Sequence, residues 1–129
     1  MRILIADDDR VLVHMLSARL RARGLDTVAA YDAMQTWMAI QRQPIDAIVL
    51  DIQMPGGTGM EVLRKLKAFS KTSLIPVVVL SGSIDPQGVQ TVKDLGADEF
   101  LPKPPDVDSL CKALSRLLGQ PLGASARGS

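Results

Sequence analysis

Two short apolar runs in this chain each end abruptly at carboxylates, and this feature constrains the fold most. The run Ile3–Ala6 stops at Asp7 and Asp8. The run Ile45–Leu50 stops at Asp51. Short, nearly continuous apolar runs are typical of parallel strands that are buried on both faces. Because ligands of open α/β sheets bind at the carboxyl ends of the strands, we expect these acids to share a site.

The chemistry of such a site follows from its charge. Carboxylates gathered at one sheet edge repel each other and raise each other's pKa values unless a cation lies among them. Carboxylate oxygens are hard ligands, which favour Mg²⁺ or a similar ion such as Mn²⁺. The pattern therefore predicts a small acidic metal pocket in which one carboxylate remains free to react.

Length and composition limit the remaining possibilities. With 129 residues, the sequence predicts one domain. A net charge of +1 argues against a dedicated nucleic-acid surface, which normally shows a strong basic excess. The single cysteine, Cys111, cannot form a disulfide within the chain and fits a reducing, cytoplasmic setting. No run approaches the ~20 apolar residues of a membrane span.

Strand-like and helix-like patterns alternate along the chain. The predicted strands are Ile3–Ala6, Thr27–Ala30, Ile45–Leu50, Pro76–Leu80 and Asp98–Leu101, and the predicted helices run from Arg10 to Arg23, Asp32 to Arg42, Thr58 to Phe69, Asp85 to Leu95 and Asp106 to Leu118. This alternation implies an α/β fold, a doubly wound parallel sheet with right-handed crossovers and helices on both faces. Residues 1–119 form this domain, and the Gly- and Ser-rich residues 120–129 are expected to be a disordered tail or a linker.

Four motifs follow one another at the ends of the predicted strands. They are Ile-Leu-Ile-Ala-Asp7-Asp8, Asp51-Ile-Gln-Met-Pro55-x-x-x-Gly59, Val-Val-Val-Leu-Ser81-Gly82 and Phe100-Leu-Pro-Lys103-Pro104. In this order, and over nearly the whole chain, the sequence resembles the receiver domain of two-component response regulators. The resemblance implies a flavodoxin-like three-layer sandwich whose five strands take the order 2-1-3-4-5.

The resemblance also implies the central roles in the site. Asp51 would be the phosphoacceptor, a carboxylate nucleophile that forms an aspartyl phosphate. Asp7, Asp8 and Asp51 would hold Mg²⁺ or Mn²⁺ together with the backbone carbonyl of Gln53. That position therefore needs no acidic side chain.

Four further residues take roles by the same resemblance. Ser81 would donate a hydrogen bond to one phosphoryl oxygen, and Lys103 would pair with another. Phe100 would be the aromatic switch residue, and without a hydroxyl group its coupling would rest on packing alone. Pro104 is a candidate for a cis peptide bond. The state of the site would be read on the face formed by the fourth helix, the fifth strand and the fifth helix.

The implied partners are those of a signalling domain. The donor would be a histidine kinase or a histidine phosphotransfer protein, and the recipient a downstream protein or a C-terminal effector domain beyond this sequence. A phosphorylation-dependent homodimer is a further option. We expect no direct contact of this domain with nucleic acid or membrane, and no enzymatic activity beyond its own phosphorylation and dephosphorylation.

Three alternative functions can be weighed on the residues. A phosphohydrolase of the haloacid dehalogenase type needs a second Asp two residues after its nucleophile, where this chain has Gln53. A flavodoxin-type cofactor binder needs a phosphate-cradling loop rich in Ser, Thr and Gly after the first strand, where this chain has acids. A receiver-like interaction module that works without phosphate remains open.

Overall fold

The central feature of the protein is one sheet of five parallel strands. The computed structural model describes residues 1–54, 57–82, 85–119 and 121–122, with the backbone alone for residues 57 and 58. The strands are β1 (Arg2–Ala6), β2 (Asp26–Ala30), β3 (Ala47–Asp51), β4 (Val77–Ser81) and β5 (Glu99–Pro102). They lie in the order β2-β1-β3-β4-β5, and the predicted flavodoxin-like topology is confirmed.

Helices cover both faces of this sheet. They are α1 (Arg10–Arg21), α2 (Ala33–Arg42), α3 (Gly59–Ala68), α4 (Pro86–Asp94) and α5 (Val107–Leu118). The helices α1 and α5 pack on one face around Ile3 and Ile5, whereas α2, α3 and α4 pack on the other around Leu4. Successive residues of β1 thus enter opposite cores, which explains why the strands have no polar face. The predicted three-layer sandwich is confirmed.

Four of the helices begin at an aspartate, and in three of them its side chain caps the helix. Asp9, Asp32 and Asp85 are the N-caps of α1, α2 and α4, and the side chain of each accepts a hydrogen bond from a backbone amide of the first turn. Such caps satisfy amide groups that have no partner within the helix. At the other end of the chain, α5 stops at Gly119, whose positive φ of 69° is easily adopted only by glycine.

The observed strands differ from the prediction in their bounds. β3 begins at Ala47 rather than Ile45 and includes Asp51, so the acid belongs to the strand instead of following it. Asp46 lies before β3, where its side chain accepts a hydrogen bond from the backbone amide of Arg2 at 2.6 Å. β4 is likewise displaced by one residue and ends on Ser81.

The loop after β3 contains a feature that the sequence did not predict. Gln53–Met54 pairs with Gly57–Thr58 as a short antiparallel ladder, where only turns were expected. Pro55 lies outside the described residues, as does most of the predicted tail at 120–129. Within the described part of the chain, none of the helices has both the length and the apolarity that a membrane crossing requires.

Candidate functional site

The predicted acids do come together at the carboxyl edge of the sheet. Asp7 directly follows β1 and Asp51 is the last residue of β3, and they are only 1% and 3% exposed. Asp8 is exposed beside them. One carboxylate oxygen from each of the three residues lies within 4.8 Å of the other two. The neighbouring positions of β1 and β3 in the sheet produce this cluster, since parallel strands end at the same edge.

The two carboxylate oxygens of Asp7 face different partners. Its Oδ1 atom accepts a hydrogen bond from the backbone amide of Asp9 at 2.9 Å. Its Oδ2 atom is buried without a hydrogen bond of acceptable geometry among the described residues, and the Lys103 ammonium lies 2.7 Å away. A buried carboxylate oxygen in this state is costly unless a cation faces it. The geometry of Asp7 therefore suits a cation-binding role.

Lys103 links the two buried acids. Its Nζ atom lies 2.7 Å from Asp7 Oδ2 and 3.4 Å from Asp51 Oδ1. Burial alone would lower the pKa of this lysine, but its contacts with Asp7 and Asp51 outweigh burial and raise the pKa. The ammonium is therefore charged at any physiological pH. The Lys103–Pro104 peptide bond is cis, as the resemblance implied.

Asp51 has the most perturbed carboxyl group of the site. Burial raises the pKa of Asp51 to about 6, and the negative charge of Asp7 adds to the rise. The backbone amide of Gln53, which donates to Asp51 Oδ1 at 3.1 Å, and the charge of Lys103 lower the pKa in opposition. At neutral pH the carboxylate is therefore largely ionised and available as a nucleophile.

The charge balance of the pocket favours a divalent cation. Three carboxylates face one ammonium group, so the pocket has an excess of two negative charges when all groups are ionised. The buried Oδ2 atom of Asp7 already faces one cation, the Lys103 ammonium, and the donor set consists of hard oxygen atoms. These are the ligands that Mg²⁺ prefers. The residues present therefore fit the ion that the sequence predicted.

Two predicted site residues lie on the neighbouring strands. Ser81 ends β4, is buried, and pairs in register with Pro102 of β5. Phe100 lies on β5 opposite Val79 and is half-buried against the core beneath α2, α3 and α4. The sheet therefore brings Ser81 to the same edge as Asp51, whereas Phe100 lies further from that edge.

Gly59 supports the site in a way that sequence reasoning did not foresee. A Cβ atom at this position would lie 2.1 Å from the carbonyl oxygen of Asp51 and 2.7 Å from the Cα atom of Ile52. The Gly59 amide also donates to the Ile52 carbonyl at 2.8 Å. Glycine thus lets α3 begin directly against the backbone of Asp51. The motif spacing contained this glycine, but only the structure gives the reason for it.

A cation–π pair at the same edge was also missed. The guanidinium carbon of Arg10 lies 3.9 Å from the centre of the Tyr31 ring. Arg10 is the first residue of α1 and Tyr31 directly follows β2, so the pair stands beside the acidic cluster. The only signal in the sequence was a basic residue immediately after three acids.

Two kinds of regulatory protein are similar to this chain in sequence. The DNA-binding response regulator MtrA of Mycobacterium tuberculosis is 37% identical over 103 residues, which cover 80% of this chain and 44% of that protein. The sensory/regulatory protein RpfC of Xanthomonas campestris is 31% identical over 119 residues, which cover 91% of this chain and 16% of that protein. The chain thus spans less than half the length of these curated relatives.

Solved structures and a family model agree with these relatives. The receiver domain of the Francisella response regulator 1452 has a TM-score of 0.85 at 27% identity, covering 92% of this chain and 96% of that one. The Vibrio cholerae chemotaxis response regulator CheY4 has a TM-score of 0.83 at 28% identity, covering 90% and 97%. The family model described as "Response regulator receiver domain" matches residues 3–115. The chain therefore belongs to the receiver domains of two-component response regulators, a family of signalling modules.

Proposed function

We propose that this domain is a phosphorylation-dependent switch that accepts a phosphoryl group from a phosphohistidine donor onto Asp51. The observation that supports this role best is the placement of the Asp51 carboxylate. It is buried at the end of β3, with Oδ1 held by the Gln53 amide and with Lys103 and Asp7 beside it. An oriented, partly desolvated carboxylate next to a fixed cation is suited to nucleophilic attack on phosphorus.

The transfer forms one bond to phosphorus and breaks another. A carboxylate oxygen of Asp51 forms a bond to phosphorus, the bond between phosphorus and the donor's imidazole nitrogen breaks, and its electron pair returns to the imidazole. Because such transfers pass through a loose, charge-rich state, the protein contributes mainly position and charge neutralisation. Lys103 would supply a positive charge for one phosphoryl oxygen, and Ser81 a hydroxyl group for another.

We propose that Asp7, Asp8, Asp51 and the backbone carbonyl of Gln53 hold Mg²⁺ or Mn²⁺. When bound, the ion neutralises charge on the phosphoryl oxygens. The excess negative charge of the pocket supports this assignment, since an anionic donor would otherwise be repelled.

The output would follow from the arrangement of β4 and β5. Movement of Ser81 toward the phosphoryl group would free space for Phe100, and the change would be read on the face formed by α4, β5 and α5. Phe100 has no hydroxyl group, so packing alone would select its rotamer. The recipient would be a partner protein, an effector domain joined to this one, or a second copy that pairs after phosphorylation.

The donor would be a histidine kinase or a histidine phosphotransfer protein in the cytoplasm. A single free cysteine, buried in α5, is compatible with that reducing compartment. We propose no direct nucleic-acid or membrane contact for this domain, in keeping with its net charge of +1. Catalysis would be limited to the domain's own phosphorylation and dephosphorylation.

The test is intact-mass spectrometry after incubation with acetyl phosphate, with and without Mg²⁺. We expect one phosphoryl adduct that needs Mg²⁺ and disappears in Asp51→Asn. Asp98→Asn is the matched control, because it makes the same change in an acid at the opposite edge of the sheet and should leave the adduct intact. An adduct on Asp51→Asn at wild-type stoichiometry would overturn the assignment.

A negative result needs one further arm. If the folded protein gives no adduct with acetyl phosphate, a phosphorylated histidine phosphotransfer protein is supplied as donor. Failure with both donors would favour the phosphate-independent interaction module, since the fold would then be retained without its chemistry.

A further inference from the structure

An apolar groove lies at the amino-terminal edge of the sheet, remote from the acidic pocket. It lies between the end of α2 and the segment that joins α3 to β4, and its cavity measures about 730 Å³. Its apolar walls are Trp37, Ile40, Ile45, Phe69 and Ile75. We call this site the Trp37 groove. Its volume lies within the range of about 300–1,000 Å³ that is usual for binding sites.

Exposed apolar side chains are concentrated on the segments that form the groove. Phe69 is 54% exposed and Leu74 is 90% exposed, both in the segment after α3. Met34, also exposed, lies three residues before Trp37 and so on the same side of α2. Scattered apolar residues are normal on a surface, but Phe69 lines the cavity itself, and an exposed aromatic ring in a cavity wall is typical of an interaction site.

The aromatic part of the groove is already ordered. The rings of Trp37 and Phe69 lie 5.7 Å apart at an interplanar angle of 45°, a tilted contact that holds both side chains. An anchor that enters beside them would therefore lose little further side-chain freedom from the protein.

The charged groups around the groove are basic. Lys71 lines it, Arg42 ends α2 beside it, and the Arg2 guanidinium lies 3.5 Å from the carbonyl oxygen of Pro44 in its wall. No acidic side chain is among the described residues of the lining. One acid, Asp46, follows Ile45 in the chain and keeps its negative charge while it accepts from the backbone amide of Arg2 at 2.6 Å, so three basic groups stand against one acid near the groove.

This charge selects among the occupants that an apolar groove could take. A second copy of the chain would bring its own basic rim against this one, which like-charge repulsion disfavours. A nucleic acid would match the charge, but the two rings that could stack a base, Trp37 and Phe69, already pack against each other, and the remaining walls are aliphatic. An acidic peptide with a large apolar anchor matches both the walls and the rim.

We propose that the Trp37 groove docks a segment of a partner protein in which a large apolar side chain is flanked by Asp or Glu residues. Gln41, Gln43 and Thr72 also line the groove and could hydrogen-bond to the backbone of that segment. The proposal is independent of phosphorylation, because β3 separates the groove from Asp51. From Ile45 to Asp51 the chain extends over ~20 Å.

The experiment uses a reporter that the chain already contains. Trp37 is the only tryptophan, so intrinsic emission reports on the groove alone. Random 12-residue peptides displayed on phage are selected against the full chain, and the selected peptides that lack Trp are titrated by fluorescence. We expect sequences with an apolar anchor beside acids, a saturable shift of the Trp37 emission, and weaker binding as salt is added.

Matched variants locate the binding. Lys71→Glu is expected to weaken binding at least ~10-fold, since one favourable charge contact is replaced by a repulsive one. Lys112→Glu makes the same change of net charge at an exposed position of α5 and should bind as the wild type. Asp51→Asn should also bind as the wild type, so loss of phosphorylation and loss of docking can be told apart.

Several outcomes would reject the proposal. They are the absence of any selected peptide, a preference for basic or uncharged peptides, and binding that leaves the Trp37 emission or the Lys71→Glu affinity unchanged. Tighter binding of a single-stranded oligonucleotide in the same titration would instead assign the groove to nucleic acid. Sedimentation of the free chain as a dimer that Phe69→Ser dissociates would assign it to a second copy.

Discussion

At the carboxyl edge of the sheet Lys103 faces Asp7 and Asp51, and at the amino edge Lys67 faces Asp98. The two clusters use the same residue types but differ in how many of their atoms have partners. Lys67 Nζ donates to the carbonyl oxygens of Ser73 and Ile75 at 3.1 and 2.8 Å, in addition to its ion pair with Asp98 at 3.6 Å.

The acidic side chains of the amino edge also have hydrogen-bond partners. The side chain of Asp98 accepts from the Val77 amide at 2.8 Å, and that of Asp46 accepts from the Arg2 amide at 2.6 Å. The backbone amides of Asp98 and Asp46 donate in turn to the carbonyls of Val77 and Arg2. Each acid thereby forms a reciprocal pair of hydrogen bonds with the first residue of a neighbouring strand. The amino edge is therefore built for stability, whereas the carboxyl edge retains unsatisfied charge for binding and chemistry.

The largest effect is expected for glycines that permit close approach at the two edges. Gly59→Ala would place a Cβ atom 2.1 Å from the Asp51 carbonyl oxygen, and rigid backbone cannot yield as a side chain can. We expect a loss of about 3 kcal/mol or more in the free energy of unfolding, with phosphorylation abolished because Asp51 is displaced. Urea unfolding and intact-mass spectrometry measure the two effects.

Gly96→Ala is the comparison at the amino edge. Its Cβ atom would lie 2.8 Å from the flexible Lys67 side chain, and its φ of 109° strains any residue other than glycine. We expect a loss of about 1–3 kcal/mol with phosphorylation intact wherever the protein remains folded. Normal phosphorylation of Gly59→Ala, or a greater loss of stability in Gly96→Ala, would contradict the distinction between the edges.

A smaller effect is expected when the two lysines are replaced by methionine. Each variant leaves buried or partly buried partners without a cation, so each should lose about 2–3 kcal/mol in the absence of divalent ions. Saturating Mg²⁺ should restore Lys103→Met, because the metal can neutralise Asp7 and Asp51. It should not restore Lys67→Met, whose lost partners include two carbonyl oxygens.

Thermal unfolding with EDTA and with Mg²⁺ distinguishes these cases. Lys103→Met should also bind Mg²⁺ more tightly than the wild type does, since the ammonium no longer competes for the same oxygens, although its switching would be impaired. If Mg²⁺ stabilised both lysine variants equally, the ion would not be acting specifically at the carboxyl edge.

The smallest effect is a pH dependence at the carboxyl edge. The pKa of Asp51 is raised to about 6 in the folded protein, above the ~3.9 of an unfolded aspartate, so the folded state binds more protons between these values. Stability of the metal-free protein from this group is therefore present below pH ~4 and is lost as the pH rises to ~6. Relative to wild type, Asp51→Asn should gain up to about 2 kcal/mol between pH 4.5 and 7.

Urea unfolding in EDTA at the two pH values measures this gain. A difference between Asp51→Asn and wild type that does not change with pH would show that Asp51 titrates normally. The distinction between the two edges would then not extend to the protonation of Asp51.

The sequence was sufficient to predict the carboxyl edge. Apolar runs that end in acid identified β1 and β3. Because parallel strands end at the same edge of a sheet, Asp7 and Asp51 were expected to lie together without any knowledge of contacts. Strand bounds were less accurate, because Asp46 lies within an apolar run yet pairs with Arg2 and stays outside β3.

The amino edge could not have been predicted in the same way. Lys67 reaches carbonyl oxygens six and eight residues further along the chain, and those contacts depend on how the segment after α3 turns. The contact of Trp37 with Phe69 joins α2 to the segment after α3, and the two share no motif. Such features arise from tertiary packing, for which local propensity and periodicity contain no signal.

Two backbone hydrogen bonds continue the sheet beneath the acidic pocket. The amide of Ile52 donates to the Leu80 carbonyl at 3.2 Å, and that of Lys103 donates to the Ser81 carbonyl at 3.0 Å. We expect these amides to exchange with deuterium only when β4 separates from β3 or from β5, so they should stay protected while side chains above them rearrange. Helices and loops could thus diverge to serve new partners in evolution while the surface that bears the reacting groups keeps its shape.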